Sequence, residues 1–228
     1  MPPPVLISSG RSADVFALDE QRVLRRYRDG NEVSAEVPVM TYVAALGFPV
    51  PRIYEAKGTD LVMERVAAPT MLQALLSRRI RPEIGAALLL SLHRQLHGLP
   101  PRLSSDPDAR VLHLDLHPGN VILSPGGPVV IDWRNSAEGP PDLDLAVSAL
   151  ILAQVAADEA HEMAALAGVV LMAFLRFAGG SPLRMLDRAM AMRRSDPALT
   201  ADETSRLASA VDLIRRCPDG REARPERP

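Results

Sequence analysis

The sequence predicts an α+β chain of two lobes, a small antiparallel sheet carrying one helix and a larger, mostly helical second part. Three observations predict it. The first 65 residues are short apolar runs separated by polar turns, with one helical stretch among them. From residue 66 onward, apolar residues recur at helical spacing over long segments. One hairpin pattern interrupts those helices: Val121-Ile122-Leu123, the turn residues Ser124-Pro125-Gly126-Gly127, and the return run Pro128-Val129-Val130-Ile131. The lobes are placed at 1–65 and 66–217. Residues 218–228, rich in Pro, Arg and Glu, read as a disordered tail.

In order, Val5-Leu6-Ile7 is a strand, Ser8 to Ala13 a polar turn, and Val15-Phe16-Ala17-Leu18 a second strand. Asp19-Glu20-Gln21 turns the chain into a third strand from Arg22. Its alternation puts Val23, Arg25 and Tyr27 on one face and Leu24 and Arg26 on the other. Residues 35–46 form a helix, with Ser34 as N-cap, Pro38 in the first turn and Gly47 at its end. A hairpin follows, 52–56 and 60–66, across Lys57-Gly58. Residues 70–79 read as a short helix. The helix 82–97 carries Ile84, Leu88, Leu92 and Leu96 as a core stripe, with His93 and His97 half-buried beside it. Residues 100–110 and 135–141 are loops, and Asp142 or Asp144 opens the next helix. Further helices are expected over 158–178, ended by Gly179-Gly180, and over 181–194. A last one opens on the capping box Thr200-Ala201-Asp202-Glu203 and ends near Arg216.

At 228 residues the chain can bury a real core. A net charge of −2 implies no nucleic-acid or membrane field. The lone Cys217 excludes an internal disulfide and fits a reducing compartment. Met1-Pro2-Pro3-Pro4 has no basic region or apolar core of a secretory leader. The uncharged runs 145–157 and 163–175 are too short to span a bilayer. A cytoplasmic chain without nucleic-acid or membrane partners is expected.

The chemistry concentrates in His113-Leu114-Asp115-Leu116-His117-Pro118-Gly119-Asn120, with a second acid, Asp132, closing the apolar run after the hairpin. A hairpin brings its ends together, so Asp115, Asn120 and Asp132 should converge. The Asp132 carboxylate and the Asn120 amide make an oxygen pocket suited to Mg²⁺ carrying a phosphate. Asp115 beside it can accept a proton from a hydroxyl. Phosphoryl transfer needs that inventory.

The wording His-x-Asp-x-His-Pro-Gly-Asn, then Ile131-Asp132-Trp133, resembles the aminoglycoside phosphotransferase family and its choline- and macrolide-kinase-like relatives. These belong to the protein-kinase-like superfamily. Leu114 stands where protein kinases usually carry Arg, and Trp133-Arg134 where they carry Phe-Gly. The resemblance implies a protein-kinase-like two-lobed fold and an ATP- or GTP-dependent, Mg²⁺-requiring transfer of phosphate to a hydroxyl of a small molecule. It makes Asp115 the base and Asn120 and Asp132 the metal ligands. His113 buttresses the loop; His117 either does the same or faces the transferred phosphate. Gly10-Arg11-Ser12 stands at the phosphate-covering loop. Arg25, with Arg26 as the alternative, takes the place of the usual phosphate-holding lysine, and Glu36 is its partner. Lys57 is the single lysine among 26 lysines and arginines. Between Glu64 and Val66 the backbone would meet the adenine, and Asp144 braces the catalytic loop from below. No room for a long activation segment remains between Trp133 and Asp144, which agrees with a small acceptor.

Two other readings stand beside this one. Arg in place of Lys, the short chain and the sparse glycine loop favour a nucleotide-binding regulatory protein of the same fold. A metallohydrolase would chelate Zn²⁺ through His113, Asp115 and His117, with His93 and His97 adding ligands. The acceptor and the oligomeric state are not legible. Glu138, Asp142, Asp158, Glu159 and Glu162 offer the acidic groove that a polycationic acceptor would need.

Overall fold

The computed structural model of the chain describes residues 4–28, 30, 32–197 and 199–217. The expected tail, 218–228, lies outside the described residues. Five strands form one antiparallel sheet: β1 (Val5–Ser9), β2 (Ala13–Ala17), β3 (Arg22–Tyr27), β4 (Ile53–Lys57) and β5 (Asp60–Glu64), in the order β1-β2-β3-β5-β4. The central β3 shows the predicted alternation, with Val23, Arg25 and Tyr27 turned inward and Arg26 outward. The helix α1 (Val37–Ala45) lies between β3 and β4. It begins later than the sequence suggests, and Ser34 does not cap it: the N-cap position is Glu36, which makes no side-chain cap bond. The reason is that the Glu36 carboxylate is drawn inward, to Arg25 and Tyr27, while the Ser34 hydroxyl donates to Glu32.

The second lobe starts with α2 (Met71–Leu76), shorter than the 70–79 expected, capped reciprocally by Thr70 and Gln73. The long helix α3 (Pro82–His97) matches its prediction in bounds and in part of its face. Leu92 and Leu96 are buried as expected, whereas Ile84 is 43% exposed and Leu89, outside the expected stripe, is buried. Four-residue steps advance about 40° beyond a full turn each time, so a strict i+4 row spirals off the buried face. Next come β6 (Arg110–Leu112), a 3₁₀ turn at Pro118–Asn120, the hairpin β7 (Val121–Ser124) and β8 (Gly127–Val130), and β9 (Ala137–Gly139). The pairing of β9 with β6 was not foreseen. Ala-Glu-Gly carries no strand pattern, and only its partner makes it one.

The helix α4 (Pro141–Ala156) is buried nearly all round. It packs on α5 (Ala164–Phe177), α6 (Leu186–Arg194) and α8 (Leu207–Arg216). The expected helix 158–178 loses its first turn: Asp158 turns out to Arg206, and His161 Nδ1 accepts the Met163 amide. The expected helix 181–194 is a 3₁₀ turn, Pro182–Met185, followed by α6. The Thr200–Glu203 capping box opens α7 (Ala201–Ser205), and the chain breaks at Arg206 before α8. No single helix among the described residues is long and apolar enough to cross a membrane.

Phe174 on α5 is fully buried, its ring centroid 5.8 Å from that of His93 in an edge-on arrangement. Phe174→Ala is therefore expected to lower the unfolding free energy by about 3–5 kcal/mol. Urea denaturation checks this, and a loss below about 1 kcal/mol would mean that the α3–α5 seam is not tightly packed.

Candidate active site

Asp144, in the first turn of α4, is a fully buried carboxylate. It accepts the amides of His113 (3.1 Å) and Leu114 (2.7 Å) and a bond from His97 Nε2 (2.9 Å). Burial alone would raise its pKa; the facing His93 first, and His97 after it, hold it ionised, well below the usual carboxylate range. Leu114 needs that grip because it sits at φ +59, in the left-handed region that disfavours a branched side chain. His93, His97 and Asp144 bring three ligand-type atoms within 4.8 Å. The Asp144 oxygens are already engaged by the loop amides, so the cluster is a brace.

His113 joins the two halves of the motif. Its Nδ1 accepts the Asp115 amide at 3.2 Å, so its Nε2 carries the proton and donates to the Ile131 carbonyl at 3.1 Å. Complete burial holds its pKa down and the ring neutral. With both nitrogens bound to backbone, it is no metal ligand, and the Zn²⁺ chelate of His113, Asp115 and His117 does not form. His117 repeats the device: Nδ1 accepts the Gly119 amide at 3.1 Å, which leaves the proton on Nε2, 3.9 Å from Asp115 Oδ1. Burial, with His113 beside it, lowers its pKa to about 4, so the ring is a neutral donor near pH 7. Gly119 is required there, since a Cβ would lie 2.8 Å from His117 Cε1.

Asn120 Nδ2 donates to the Asp115 carbonyl at 2.9 Å and to Asp115 Oδ2 at 3.1 Å. A carboxylate accepts only, so the amide nitrogen must face Asp115, and the amide oxygen is the donor atom Asn120 has for a cation. Asp132 follows β8 at φ +66. Its neighbour Trp133 is fully buried, anchored by Nε1 on the Val130 carbonyl at 3.1 Å and by Phe48 and His113 ring edges. The anchor fixes the strained turn and aims Asp132 at Asp115. Burial first, and the Asp132 charge second, push the Asp115 carboxyl up to about 7.

From the sheet, Arg25 reaches down with both arms: Nη1 to Glu36 Oε2 at 3.1 Å and Nη2 to Asp132 Oδ1 at 2.5 Å. The guanidinium also lies over the Tyr27 ring, and Tyr27 donates to Glu36 at 3.0 Å. Arg26 points outward and pairs with Asp60, so the geometry separates the two arginines. Gly10, Arg11 and Ser12 line the cavity. All three of their carbonyls are engaged by Arg28, through its guanidinium and its amide. Arg11 bonds with Glu203 of α7, across the lobes. Glu64 and Val66 stay outside the cavity: Glu64 accepts the Arg52 amide, the Arg65 amide goes to the Gln21 carbonyl and Val66 accepts from Ala68.

Asp115, His117, Asn120 and Asp132 face one cavity of about 440 Å³. The sequence reading missed Arg193 of α6 and the adjoining Asp196. Arg193 Nη1 is 4.0 Å from Asp115 Oδ1 and 3.3 Å from Asp196, and its Nε donates to Gln154. No spacing rule ties residue 193 to 115; only α6 crossing α4 brings them together. Arg28 was missed because a basic residue at a strand end usually only solvates it.

The family model of a phosphotransferase enzyme family matches residues 5–110 and 71–177. The chain belongs to this phosphotransferase family. Among curated proteins, none matches the sequence. Solved structures with the same fold include the gentamicin–APH(2")-IIa complex, at 14% identity and TM-score 0.60 over 96% of this chain and 93% of that one. Amicoumacin kinase in complex with AMP-PNP, Ca²⁺ and Ami matches at 13% and 0.58, over 96% and 90%. A choline/ethanolamine kinase family protein from Mesorhizobium loti matches at 14% and 0.55, over 97% and 90%. The protein-kinase-like fold expected from the motifs is therefore the observed one. Asn120 and Asp132 present to this cavity oxygen atoms of the kind that could hold a hard cation.

Two predictions rest on this geometry. Asp144→Ala should cost about 3–5 kcal/mol, the scale for removing one partner from a buried charge network, read as a fall in the urea midpoint; an unchanged midpoint would deny the brace. Asp115 holds its proton up to about 7 when folded but only to about 3.9 when unfolded. The folded state thus loses stability through this group as pH rises across that window. Asp115→Asn should therefore melt higher than wild type, with the gap widening between pH 4 and 7 and constant above. Calorimetry at several pH values checks it, and a pH-independent gap would place the carboxyl in a water-like setting.

Proposed function

We propose that the chain transfers the γ-phosphate of ATP, or of GTP, carried by Mg²⁺, to a hydroxyl of a small molecule. The observation that carries this is the contact between Asn120 Nδ2 and Asp115 Oδ2, at 3.1 Å on the wall of a cavity that Asp132 also faces. A proton acceptor and two oxygen donors share one small space. Similar structures support the class: one is a kinase with AMP-PNP bound, another a gentamicin complex.

In this reading Asp115, poised at about 7, orients the acceptor hydroxyl and takes its proton as the phosphorus–oxygen bond forms. Asn120 and Asp132 hold the cation, which neutralises charge on the transferring phosphate when bound. That charge also relieves the Asp132 repulsion on Asp115, lowering its pKa in the loaded enzyme. Neutral His117 offers its Nε2–H beside Asp115. Arg25, fixed by Glu36 and Tyr27, places a guanidinium for the phosphates. The Gly10-Arg11-Ser12 loop, on the cavity wall, covers the phosphates.

One observation favours the regulatory reading. Arg25 sits 2.5 Å from Asp132, so the cation must displace or share that contact. Arg25→Lys separates the two, since lysine is a compact point charge without the second arm. Turnover that improves or persists marks the guanidinium as a tolerated substitute; a total absence of transfer in wild type and variant, with nucleotide still bound, supports regulation.

Asp115→Ala is expected to cut turnover by about 10²–10⁴ while nucleotide affinity stays within a few-fold. Asp132→Ala should remove the Mg²⁺ dependence of nucleotide binding, with Asn120→Ala weakening it less, because a neutral amide is the poorer ligand. Titrations with and without Mg²⁺ test this. Full turnover in Asp115→Ala, or unchanged Mg²⁺ dependence in Asp132→Ala, would sink the assignment.

A further inference from the structure

The wall opposite the reacting carboxylates is apolar. Leu72 and Leu75 of α2, Ile151 and Val155 of α4, and Leu166 and Val170 of α5 line the same cavity as Asp115 and Asp132. The charged residues of the lining are three arginines (11, 134, 193) and three aspartates (115, 132, 196), so the lining carries no net negative charge. Each aspartate is already committed. Asp132 holds Arg25, Asp115 holds Asn120, and Asp196 holds Arg193. Arg193 also stands 4.0 Å from Asp115, so a cation near the reacting hydroxyl meets a fixed guanidinium.

The acidic groove suggested by the sequence does not form at this cavity. None of Glu138, Asp142, Asp158, Glu159 and Glu162 lines it. Glu138 accepts the amides of Arg102, Leu103 and Ser104; Asp158 pairs with Arg206; Glu159 and Glu162 face solvent. An ammonium carried into this wall would lose its water without gaining a carboxylate, which burial makes costly. An apolar body would gain by leaving water.

We propose that the acceptor is an alcohol with an uncharged, apolar body, and that polyamine acceptors are excluded. This rests on the phosphotransferase reading of the same site. The hydroxyl lies at Asp115 and His117, and the body lies along α2, α4 and α5.

The test uses the full chain, with 1-octanol and 7-amino-1-heptanol as probes. They have equal heavy-atom counts and differ by one ammonium; kanamycin is the polycation. Binding is read by ligand-observed NMR titration, and transfer by radiolabelled phosphate from Mg²⁺-ATP. Octanol should bind at least about tenfold more tightly than the amino alcohol, the scale of an uncompensated buried charge, and kanamycin should not compete. Equal or reversed affinity, or failure of octanol to bind, overturns the inference. Selective binding with no transfer to octanol sinks the phosphotransferase reading and leaves the cavity's chemistry standing. Transfer without selectivity does the opposite. Met163→Glu adds a carboxylate at the cavity edge at the start of α5, where a helix N-terminus favours it. A variant that melts like wild type should shift preference toward the amino alcohol by about tenfold or more; an unchanged preference there also counts against the inference.

Discussion

A carboxylate buried at the start of α4 organises the functional half of the molecule. Asp144 cannot reach water, so it must be fully bonded or be strongly destabilising. The bonds it takes come from the backbone of the catalytic loop and from His97. They hold Leu114 in a left-handed conformation that the free chain would not keep. That conformation directs the next residue, Asp115, into the cavity while Leu114 fills the core below. The geometry of the 113–120 loop thus depends on one desolvated charge, which α4, apolar on nearly every face, carries into the centre.

His113 transmits the constraint to the second motif. Accepting from Asp115 and donating to Ile131, it makes the loop and the strand before Asp132 one unit. Neutral tautomers of His113 and His117 matter here. A charged imidazolium could not accept from either backbone amide, and it would pull the Asp115 pKa down from the range where a base is both ionised and basic. The electrostatics of the site therefore depend in part on the exclusion of water around His113, which is a packing property.

Arg25 is where the small lobe meets the large one. Its fork spans Glu36 of the sheet-side helix and Asp132 of the hairpin, a reach two-armed enough to bridge residues that a single ammonium would have to choose between. Arg11 makes a second bridge farther out, to Glu203. The two ties join the lobes on the two sides of the cavity. The floor of that space is built from apolar faces of α2, α4 and α5, so the same helices that make the core also set what kind of molecule fits.

The sequence by itself determined the architecture and the local chemistry. The hairpin between Asn120 and Asp132, the inward alternation of Arg25 and the capping box at Thr200 were legible, because each is set by neighbours a few residues away; the brace at Asp144, which grips residues about 30 positions earlier, was expected only from the family resemblance. Periodicity, turn residues and fixed motif spacing are short-range properties. What only the tertiary structure decided is long-range. The face of α3, the pairing of β9 with β6, the partnership of Arg193 with Asp115, and the spending of Glu138 on backbone amides depend on segments tens of residues apart. A side chain's charge is visible in the sequence, but its availability is not, since that depends on which donors and acceptors the fold delivers to it. The apolar wall is the clearest case: its leucines, isoleucine and valines read as core residues on three separate helices, and only the way those helices cross leaves their ends facing a cavity.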